Sequence, residues 1–235
     1  MKVETAAILA GGYGKRLRPL TDSIPKPMIE VGGRPILEWQ MLWLRSLGIK
    51  KFVLLVGYLG EIIKSYFGNG EKLKVEIKYS FENEPLGTGG AIKNAYNVMK
   101  DEKYFFVVNG DIITNLNPYE MVSDLEDEIG VIALAPLQSQ YGVVDVDTNG
   151  HIRGFREKPK IEGIWINAGV YLLKSEIFEM LPKKGDIEKE TFPKVAEQNK
   201  LKGKKYFDIY WKSIDSHKDL EEVDKAIREK KVFSF

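Results

Sequence analysis

Hydrophobic positions in the first half of the chain alternate between two patterns. Short continuous apolar runs indicate buried strands, and longer segments with apolar residues at helical spacing indicate amphipathic helices. The pattern predicts strands at 5–9, 51–56, 75–79 and 104–108, and helices from Pro35 to about Gly48, at 61–67 and at 88–99. Pro35 suits a first helical position, Gly48 a C-terminal cap and Thr88 an N-cap. This alternation predicts an α/β fold with a mostly parallel, Rossmann-like sheet and helices on both faces.

The rhythm of the pattern changes after about Gly130. Strands are predicted at 131–137, 143–146, 152–155 and 165–172, with Asn149-Gly150 as a hairpin turn, and helices at 175–181, 187–198 and 216–230. The sequence has no internal repeat, low-complexity tract or clear linker. We therefore expect one domain over 1–235, in which a β-rich portion at about 131–235 is added to the α/β half at about 1–130.

Composition excludes several classes of function. The 235 residues carry a net charge of +1, so no broad basic surface favours nucleic acid or an anionic membrane as a partner. Cysteine is absent, which excludes disulfides and thiolate metal sites. No stretch is long and apolar enough to span a bilayer, and the first ten residues do not form a signal peptide. A soluble, cytoplasmic protein is therefore expected.

The stretch LAGGYGKRLRPLTDSIPKPM, from Leu9 to Met28, follows the first predicted strand. In open α/β sheets ligands bind outside the carboxyl ends of the strands, and glycines let backbone N–H groups approach a phosphate closely. The spacing fits neither the Walker A loop nor the dinucleotide fingerprint. Arg16 offers a planar fork for phosphate oxygens, and Lys26 is a point charge between two prolines. The alternative is a surface loop with solvated cations.

The string AAILAGGYGKRLRPLTDSIPKPMIEVGGRPIL resembles the signature of the sugar-phosphate nucleotidyltransferases. Similar strings continue along nearly the whole chain, as EPLGTGGAI, NGD, YGVV, FREKP and NAGVY. The resemblance implies the fold of nucleotide-diphospho-sugar transferases, with a nucleotide-binding first half and a sugar-binding second half. It also implies that a nucleoside triphosphate and a sugar 1-phosphate give a nucleotide sugar and pyrophosphate. Hexapeptide repeats, which carry a second activity in some members, are absent.

The resemblance and the charge of the substrates together assign roles to individual residues. The expected catalytic residues are Arg16, Lys26, Asp111 and Lys158, of which Lys158 would hold the sugar phosphate. Nucleotide-binding residues are expected at Leu9, Ala10, Gly11, Gly12, Gly14, Arg16, Lys26, Glu82, Gly87, Thr88 and Asp111. Sugar-binding residues are expected at Gly142, Glu157, Lys158, Asn167 and Gly169.

Asp111 follows a buried strand and a glycine and is expected to coordinate Mg²⁺, which prefers oxygen ligands and binds through few carboxylates plus substrate phosphates. The alternative is a helix or turn cap. The family uses a second aspartate near the C-terminus, in many members two positions after a tryptophan, where this chain has Ser213. A variant found in sugar-phosphate cytidylyltransferases points instead to Asp215, with Asp219 as a competitor.

Glu82 occupies a position where thymidylyl- and uridylyltransferases of the family tend to carry glutamine. A carboxylate only accepts hydrogen bonds, so it suits the N–H groups of guanine or cytosine better than uracil or thymine. The string EPLGTGGA resembles mannose- or heptose-1-phosphate guanylyltransferases, whereas WKSIDSHKD leans toward cytidylyltransferases. We expect the two substrates to be GTP and a mannose- or heptose-type sugar 1-phosphate.

Two alternatives stay open at this stage. One is a cytidylyl-, uridylyl- or thymidylyltransferase acting on glucose 1-phosphate or a related phosphate. The other belongs to a different class, a non-catalytic regulatory subunit that senses a nucleotide sugar. The retained cations argue against a sensor, which has no need for the full set. The sequence leaves open a homo-oligomer, the identity of the sugar and any regulation.

Overall fold

A computed structural model describes residues 2–233 and 235. The strands and helices are, in chain order, β1 (Thr5–Ala10), β2 (Glu30–Val31), β3 (Arg34–Pro35), α1 (Ile36–Ser46), β4 (Lys51–Val56), α2 (Gly60–Phe67), β5 (Glu76–Phe81), α3 (Gly87–Asn94), α4 (Tyr96–Met99), β6 (Tyr104–Asn109), β7 (Ile112–Thr114), β8 (Gly130–Gln138), β9 (Val143–Val146), β10 (Ile152–Arg156), β11 (Lys160–Lys174), α5 (Ile177–Met180), α6 (Phe192–Glu197), β12 (Leu201–Lys205), β13 (Trp211–Ser213) and α7 (His217–Arg228). A π-type turn at Ile187–Thr191 leads into α6.

The central sheet contains seven strands in the order β12-β8-β11-β6-β1-β4-β5. Strand β1 runs parallel to both β4 and β6, β4 is parallel to β5, and β12 is parallel to β8. Strand β11 is antiparallel to both of its neighbours, β6 and β8. The sheet is therefore mostly parallel, as the sequence predicted, and both halves of the chain contribute strands to it.

Both faces of the sheet are buried. On β1, Ala6 and Ile8 join one apolar cluster, whereas Ala7, between them, joins the other. Helix α1 packs on the first face through residues such as Leu37, and α3 packs on the second through residues such as Ile92. Burial on both faces explains why these strands read as continuous apolar runs. No helix within residues 2–233 is long and apolar enough to cross a bilayer.

The hairpin prediction is confirmed, because β9 pairs antiparallel with β10 and Gly150 takes a positive φ of 84° in the turn between them. Two local predictions are wrong. Pro35 ends β3 and precedes α1 instead of occupying its first turn. Thr88 does not cap α3, which begins at Gly87, because its hydroxyl bonds to the segment around the π-type turn.

The pattern missed five short strands: the two-residue strands β2 and β3, and β7, β12 and β13. β12 reads LKGKK, and its charged residues suit the exposed edge of the sheet that it forms. β7 and β13 contain only three residues each, and they pair with one another outside the main sheet. That short pairing has a consequence for the site, because each strand lies next to a predicted metal-binding aspartate.

Candidate active site

The glycine-rich loop after β1 is held in a defined shape. Gly14 has a positive φ of 60°, and a side chain there would meet Thr21 Cγ2 at 2.8 Å. The Gly14 carbonyl accepts hydrogen bonds from the N–H of Leu17 at 2.8 Å and from the Thr21 hydroxyl at 3.0 Å. The Leu17 side chain is fully buried and anchors the loop in the core. Because the adjacent Leu17 points into the core, the Arg16 side chain extends away from the loop into solvent.

Four charged side chains meet beside this loop, and we call them the charged centre. Lys26 Nζ donates to Asp111 Oδ2 at 2.8 Å and to Asp215 Oδ1 at 3.1 Å. Arg16 Nη2 lies 2.8 Å from the same oxygen of Asp215. The Lys26 side chain is only 12% exposed, whereas that of Arg16 is 75% exposed. The structure thus brings together three of the four predicted catalytic residues and the predicted second aspartate.

The pairing of β7 with β13 places the two aspartates. Ser213 lies opposite Ile112 in this antiparallel pair, and the Ile214 N–H donates to the Asp111 carbonyl at 2.8 Å. Burial pushes the pKa of Asp215 upward, but the Ser213 hydroxyl at 2.8 Å and the charges of the two cations outweigh burial. The pKa of Asp215 is therefore held below its usual range, and the carboxyl stays ionised.

Asp219 has a different environment from Asp215. Its Oδ2 accepts from the N–H of Ser216 at 2.8 Å, and the Ser216 hydroxyl oxygen in turn accepts from the Asp219 N–H, so the two residues form a capping box on α7. Its Oδ1 lies 2.8 Å from Lys212 Nζ. Both oxygens are thus engaged in structure, so the geometry favours Asp215 over Asp219 as the partner of Asp111.

A cavity of about 310 Å³ opens next to the charged centre. The predicted nucleotide-binding residues that line it are Leu9, Gly11, Gly12, Lys26, Glu82, Gly87, Thr88 and Asp111. The other three do not: Ala10 is buried in β1, Gly14 shapes the turn and Arg16 pairs with Asp215. The volume lies at the lower end of the range for small-molecule sites, so the cavity suits part of a nucleotide.

Glu82 lies directly after β5, on the wall of the cavity. Its carboxyl packs against two glycines, because a Cβ at Gly57 or Gly11 would lie 2.5 Å or 2.7 Å from Oε1. The Leu86 N–H donates to Oε2 at 3.3 Å. Burial raises the pKa of Glu82, and the bond from Leu86 opposes that rise only in part. Neighbouring Glu84 is exposed and pairs with Lys184 at 2.6 Å.

The start of α3 is covered by a loop from the second half of the chain. The N–H groups of Gly89 and Gly90 both donate to the Gly185 carbonyl, at 2.9 and 3.1 Å. A side chain at Gly87, where φ is 74°, would meet the same carbonyl at 2.6 Å. These N–H groups are therefore already engaged by protein, and α3 contributes Gly87 and Thr88 to the cavity wall instead.

The predicted sugar-binding residues separate into two groups. Gly169, with a positive φ of 71°, packs so closely on Asn109 that a Cβ would lie 2.9 Å from its Nδ2. Asn109 lines the cavity, and Asn167 Oδ1 accepts from the Gly169 N–H at 2.8 Å. Gly169 therefore lies behind Asn109, which lines the cavity, and Asn167 is hydrogen-bonded to Gly169.

The second group flanks the two strands of the β9–β10 hairpin at its open end and does not line the cavity. A Cβ at Gly142 would meet the Phe155 ring at 2.6 Å and Glu157 Oε2 at 3.2 Å. Lys158, with a positive φ of 44°, lies between β10 and β11. Its Nζ is 3.9 Å from Glu157 Oε1, and it is 44% exposed. The structure thus does not bring Lys158 into contact with the charged centre.

Several residues that line the cavity were not among the predicted site residues, among them Tyr13, Asn109, Gly110 and Asp186. Asn109 and Gly110 were detectable, because they precede Asp111 at the carboxyl end of a predicted strand. Gly110 donates to the Leu9 carbonyl at 3.0 Å, and a side chain there would overlap that oxygen. Asp186 gave no signal, because only the docking of its loop on α3 carries it to the cavity.

Comparison with known proteins gives a consistent result. A mannose-1-phosphate guanyltransferase of Kluyveromyces lactis is 40% identical over 225 residues, which cover 90% of this chain and 61% of the relative. The mannose-1-phosphate guanylyltransferase catalytic subunit beta of Drosophila pseudoobscura is 38% identical, with 91% and 60% covered. This chain thus spans about three fifths of the length of these relatives.

Among solved structures, HddC from Yersinia pseudotuberculosis superposes with a TM-score of 0.76 at 29% identity, covering 96% of this chain and all of HddC. HddC in complex with GMP-PN gives a TM-score of 0.75. The model of the nucleotidyl transferase family matches residues 5–230, and therefore includes every residue of the charged centre. The chain belongs to the nucleotidyl transferase family.

Proposed function

We propose that this chain transfers a guanylyl group from GTP to a sugar 1-phosphate of the mannose type, with release of pyrophosphate. The observation that carries the proposal is Lys26, which joins Asp111 and Asp215 on the wall of a cavity. The reaction brings two anions together, so it requires cations and held carboxylates at one place. Two findings support GTP as the nucleotide substrate. Relatives that are 40% identical are mannose-1-phosphate guanyltransferases, and HddC has a solved complex with GMP-PN.

The chemistry forms one bond and breaks another at the α-phosphorus. An oxygen of the sugar phosphate attacks, and the bond to the β-phosphate oxygen breaks in line, so that pyrophosphate leaves. Arg16 and the loop N–H groups bind the triphosphate, and Lys26 neutralises charge that develops at the α-phosphate. Two carboxylates already hold the Lys26 ammonium in place, so it needs no ordering by substrate.

Nucleotidyltransferases of this family generally use a divalent metal ion. We propose Mg²⁺, held by Asp111 and Asp215. The residues fit, because both carboxylates reach one nitrogen atom, and Mg²⁺ is commonly bound through one or two carboxylates plus substrate phosphates. Among residues 2–233 and 235 no group of three or more His, Asp or Glu side chains is placed to hold a metal ion, so the proposed ion would also need ligands from substrate or water. When bound, the ion would neutralise phosphate charge and orient the reacting groups.

Glu82 is the proposed reader of the base, because its side chain lies on the cavity wall and a carboxylate there would accept hydrogen bonds from the N–H groups of guanine. On the other side, Asn167, Gly169, Gly142 and Glu157 would contact the sugar and Lys158 its phosphate. The first half, at about 1–130, would then bind the nucleotide, and the second, at about 131–235, the sugar.

A screen of pyrophosphate release tests the proposal. The purified chain is supplied with Mg²⁺ and each of GTP, CTP, UTP and dTTP against a panel of sugar 1-phosphates. We expect the highest rate with GTP and mannose 1-phosphate. A preference for CTP would support the cytidylyltransferase alternative. Binding of a nucleotide sugar without pyrophosphate release from any pair would support a regulatory subunit instead.

A further inference from the structure

A chain of hydrogen bonds connects the cavity wall at α3 with the predicted sugar-binding residues on β11. The Thr88 hydroxyl donates to Glu188 Oε2 at 2.6 Å, and the Tyr171 hydroxyl donates to Glu188 Oε1 at 3.0 Å. Asn167 Nδ2 in turn donates to the Tyr171 hydroxyl at 2.9 Å. We call these four residues the Glu188 relay. Glu188 and Tyr171 were not among the residues that the sequence predicted for the site.

The charge on Glu188 determines the direction of every bond in the relay. A carboxylate has no proton to donate, so both hydroxyls must donate to it. The Tyr171 hydroxyl has then only acceptor capacity left, which requires the nitrogen of the Asn167 amide to face it. The amide oxygen faces the Gly169 N–H at 2.8 Å, and because that N–H can only donate, this bond favours the same orientation of the amide as Tyr171 does. On the other arm, the Thr88 hydroxyl accepts from the Ile187 N–H at 3.0 Å.

The centre of the relay is rigid, and its two ends are accessible. Tyr171 is fully buried, and its ring packs edge-on against Phe192 with centroids 5.0 Å apart. Burial, and then the charge of Glu188, raise the pKa of Tyr171, so its hydroxyl keeps its proton and remains a donor. Thr88 lines the cavity, and Asn167 is exposed to solvent. The relay thus runs from the half-buried Thr88 through the half-buried Glu188 and the buried Tyr171 to the exposed Asn167, so its central hydrogen bonds can hold the two ends in a fixed geometry.

We propose that Glu188 is a positioning residue that aligns the nucleotide and sugar sites together. Through Tyr171 it orients the Asn167 amide toward the sugar. Through Thr88 it fixes the start of α3 against the nucleotide. The inference rests on the proposed function, since the two sites are those of that reaction. It goes beyond that function because it assigns the geometry of both sites to one carboxylate, Glu188, which lies outside the charged centre.

The Glu188→Gln variant tests the relay with little change of shape. A glutamine has one oxygen that accepts and an amide that must donate, so one of the two hydroxyls loses its acceptor. We expect the KM values for GTP and for the sugar 1-phosphate each to rise roughly tenfold, as for loss of a hydrogen bond to a charged group. Glu197→Gln, an exposed position on α6, removes the same charge and serves as the control.

Variants of the two arms separate the relay from a direct contact. Tyr171→Phe removes only a hydroxyl and is expected to raise the KM for the sugar 1-phosphate while leaving that for GTP unchanged. Thr88→Val is expected to raise the KM for GTP, and Thr88→Ser to restore it. Combining Tyr171→Phe with Glu188→Gln should raise the KM for the sugar 1-phosphate no further than Glu188→Gln alone, because both changes interrupt the same path.

Three results would overturn the relay. The first is a Glu188→Gln enzyme that differs from Glu197→Gln only in its melting temperature, which would reduce Glu188 to a structural contact. The second is a damaged Glu188→Gln enzyme beside a normal Tyr171→Phe enzyme, which would mean that Glu188 touches substrate itself. The third is an unmodified chain that releases no pyrophosphate from any substrate pair. That third result overturns the proposed function as well, whereas the first two leave it standing.

Discussion

The charged centre and the β9–β10 hairpin are both predicted to handle phosphate, but they are built differently. In the charged centre, Lys26 is 12% exposed and bridges two carboxylates. At the open end of the hairpin, Glu157 and Lys158 are 66% and 44% exposed and lie 3.9 Å apart, beyond hydrogen-bond distance. The apolar residues of the hairpin are also exposed, as Phe155 is at 66%. One region has its polar contacts made within the protein, and the other presents them to solvent.

This difference separates stability from activity. A buried group that loses its partner destabilises the fold, whereas exposed ion pairs contribute little to stability. Substitution of Lys26, which is largely buried between two carboxylates of the charged centre, should therefore lower both activity and stability. Substitutions of the exposed cation beside the hairpin should lower activity alone.

Replacing Lys26 with alanine should have the largest effect. The variant removes the cation proposed to act at the α-phosphate, and loss of such a group typically lowers kcat by roughly a thousandfold. It also leaves Asp111 and Asp215 facing each other, so the melting temperature should fall. Pyrophosphate release and thermal unfolding measure the two effects. Lys15→Ala, in the same loop but exposed over the Tyr13 ring, is the control and should change neither. Near-normal turnover of Lys26→Ala would exclude Lys26 from the chemistry.

Asn substitutions at Asp215 and Asp219 should separate the two candidate metal ligands. Asp215→Asn is expected to lower kcat about a hundredfold and to raise the Mg²⁺ concentration needed for half-maximal rate. Asp219→Asn weakens the capping box on α7, so it should cost about 1 kcal/mol of stability and leave turnover within a few-fold. Mg²⁺ titrations and denaturant unfolding measure these effects. The reverse pattern would identify Asp219 as the ligand and show that the helix cap is expendable.

Lys158→Ala tests the exposed side of the comparison. We expect the KM for the sugar 1-phosphate to rise about thirtyfold, the KM for GTP to stay unchanged, and the melting temperature to stay within error. Lys160→Ala, two residues along and also exposed, is the matched control. Equal kinetics for the two variants would remove Lys158 from the site. A large fall in melting temperature would contradict the proposed contrast between the two regions.

Local sequence predicted much of this molecule, because the strands that carry the first half are buried on both faces. β4 matches its predicted range of 51–56 for that reason, and β9, in the exposed hairpin, matches 143–146 because its turn is marked by Asn149-Gly150. The signature loop identified Lys26 and Arg16, since their spacing to the glycines is local. The sequence could name Asp215 and Asp219 but not place them, because that depends on the register of β13 on β7.

The contacts of Glu188 lay beyond sequence reasoning for the same physical reason. Glu188 is 100 residues from Thr88 in the chain, and only docking of the 182–188 loop on α3 joins them. Nothing in the residue types around it distinguishes it from the exposed Glu190. Thr88 shows where local sequence misleads. Its residue type and position predicted a helix cap, but its hydroxyl is hydrogen-bonded to Glu188 and to the Ile187 N–H, which are distant in the chain.

Glu82→Gln should have the smallest effect on rate, and it changes selectivity. Glutamine presents a donor where the carboxylate only accepts, so the preference for GTP over UTP should fall about tenfold. Glu84→Gln, exposed and paired with Lys184, is the control. Competition between the four nucleoside triphosphates gives the ratio. An unchanged ratio would mean that Glu82 does not read the base.

The pH dependence of GTP binding is a second test of whether Glu82 contacts the base. Burial raises the pKa of Glu82, so the protonated form persists to higher pH in the folded chain than in the unfolded one. As pH falls through that raised pKa, the carboxyl gains a proton, and the KM for GTP should rise in the unmodified enzyme but not in Glu82→Gln.

The free energy of unfolding should depend on pH in the opposite sense to GTP binding. The folded state binds the proton more tightly than the unfolded state, so the ionised form of Glu82 lowers stability at neutral pH. Glu82→Gln should therefore be at least as stable as the unmodified chain at pH 7, with the difference shrinking on acidification. A variant less stable at pH 7 would show that the bond from Leu86 outweighs burial at this position.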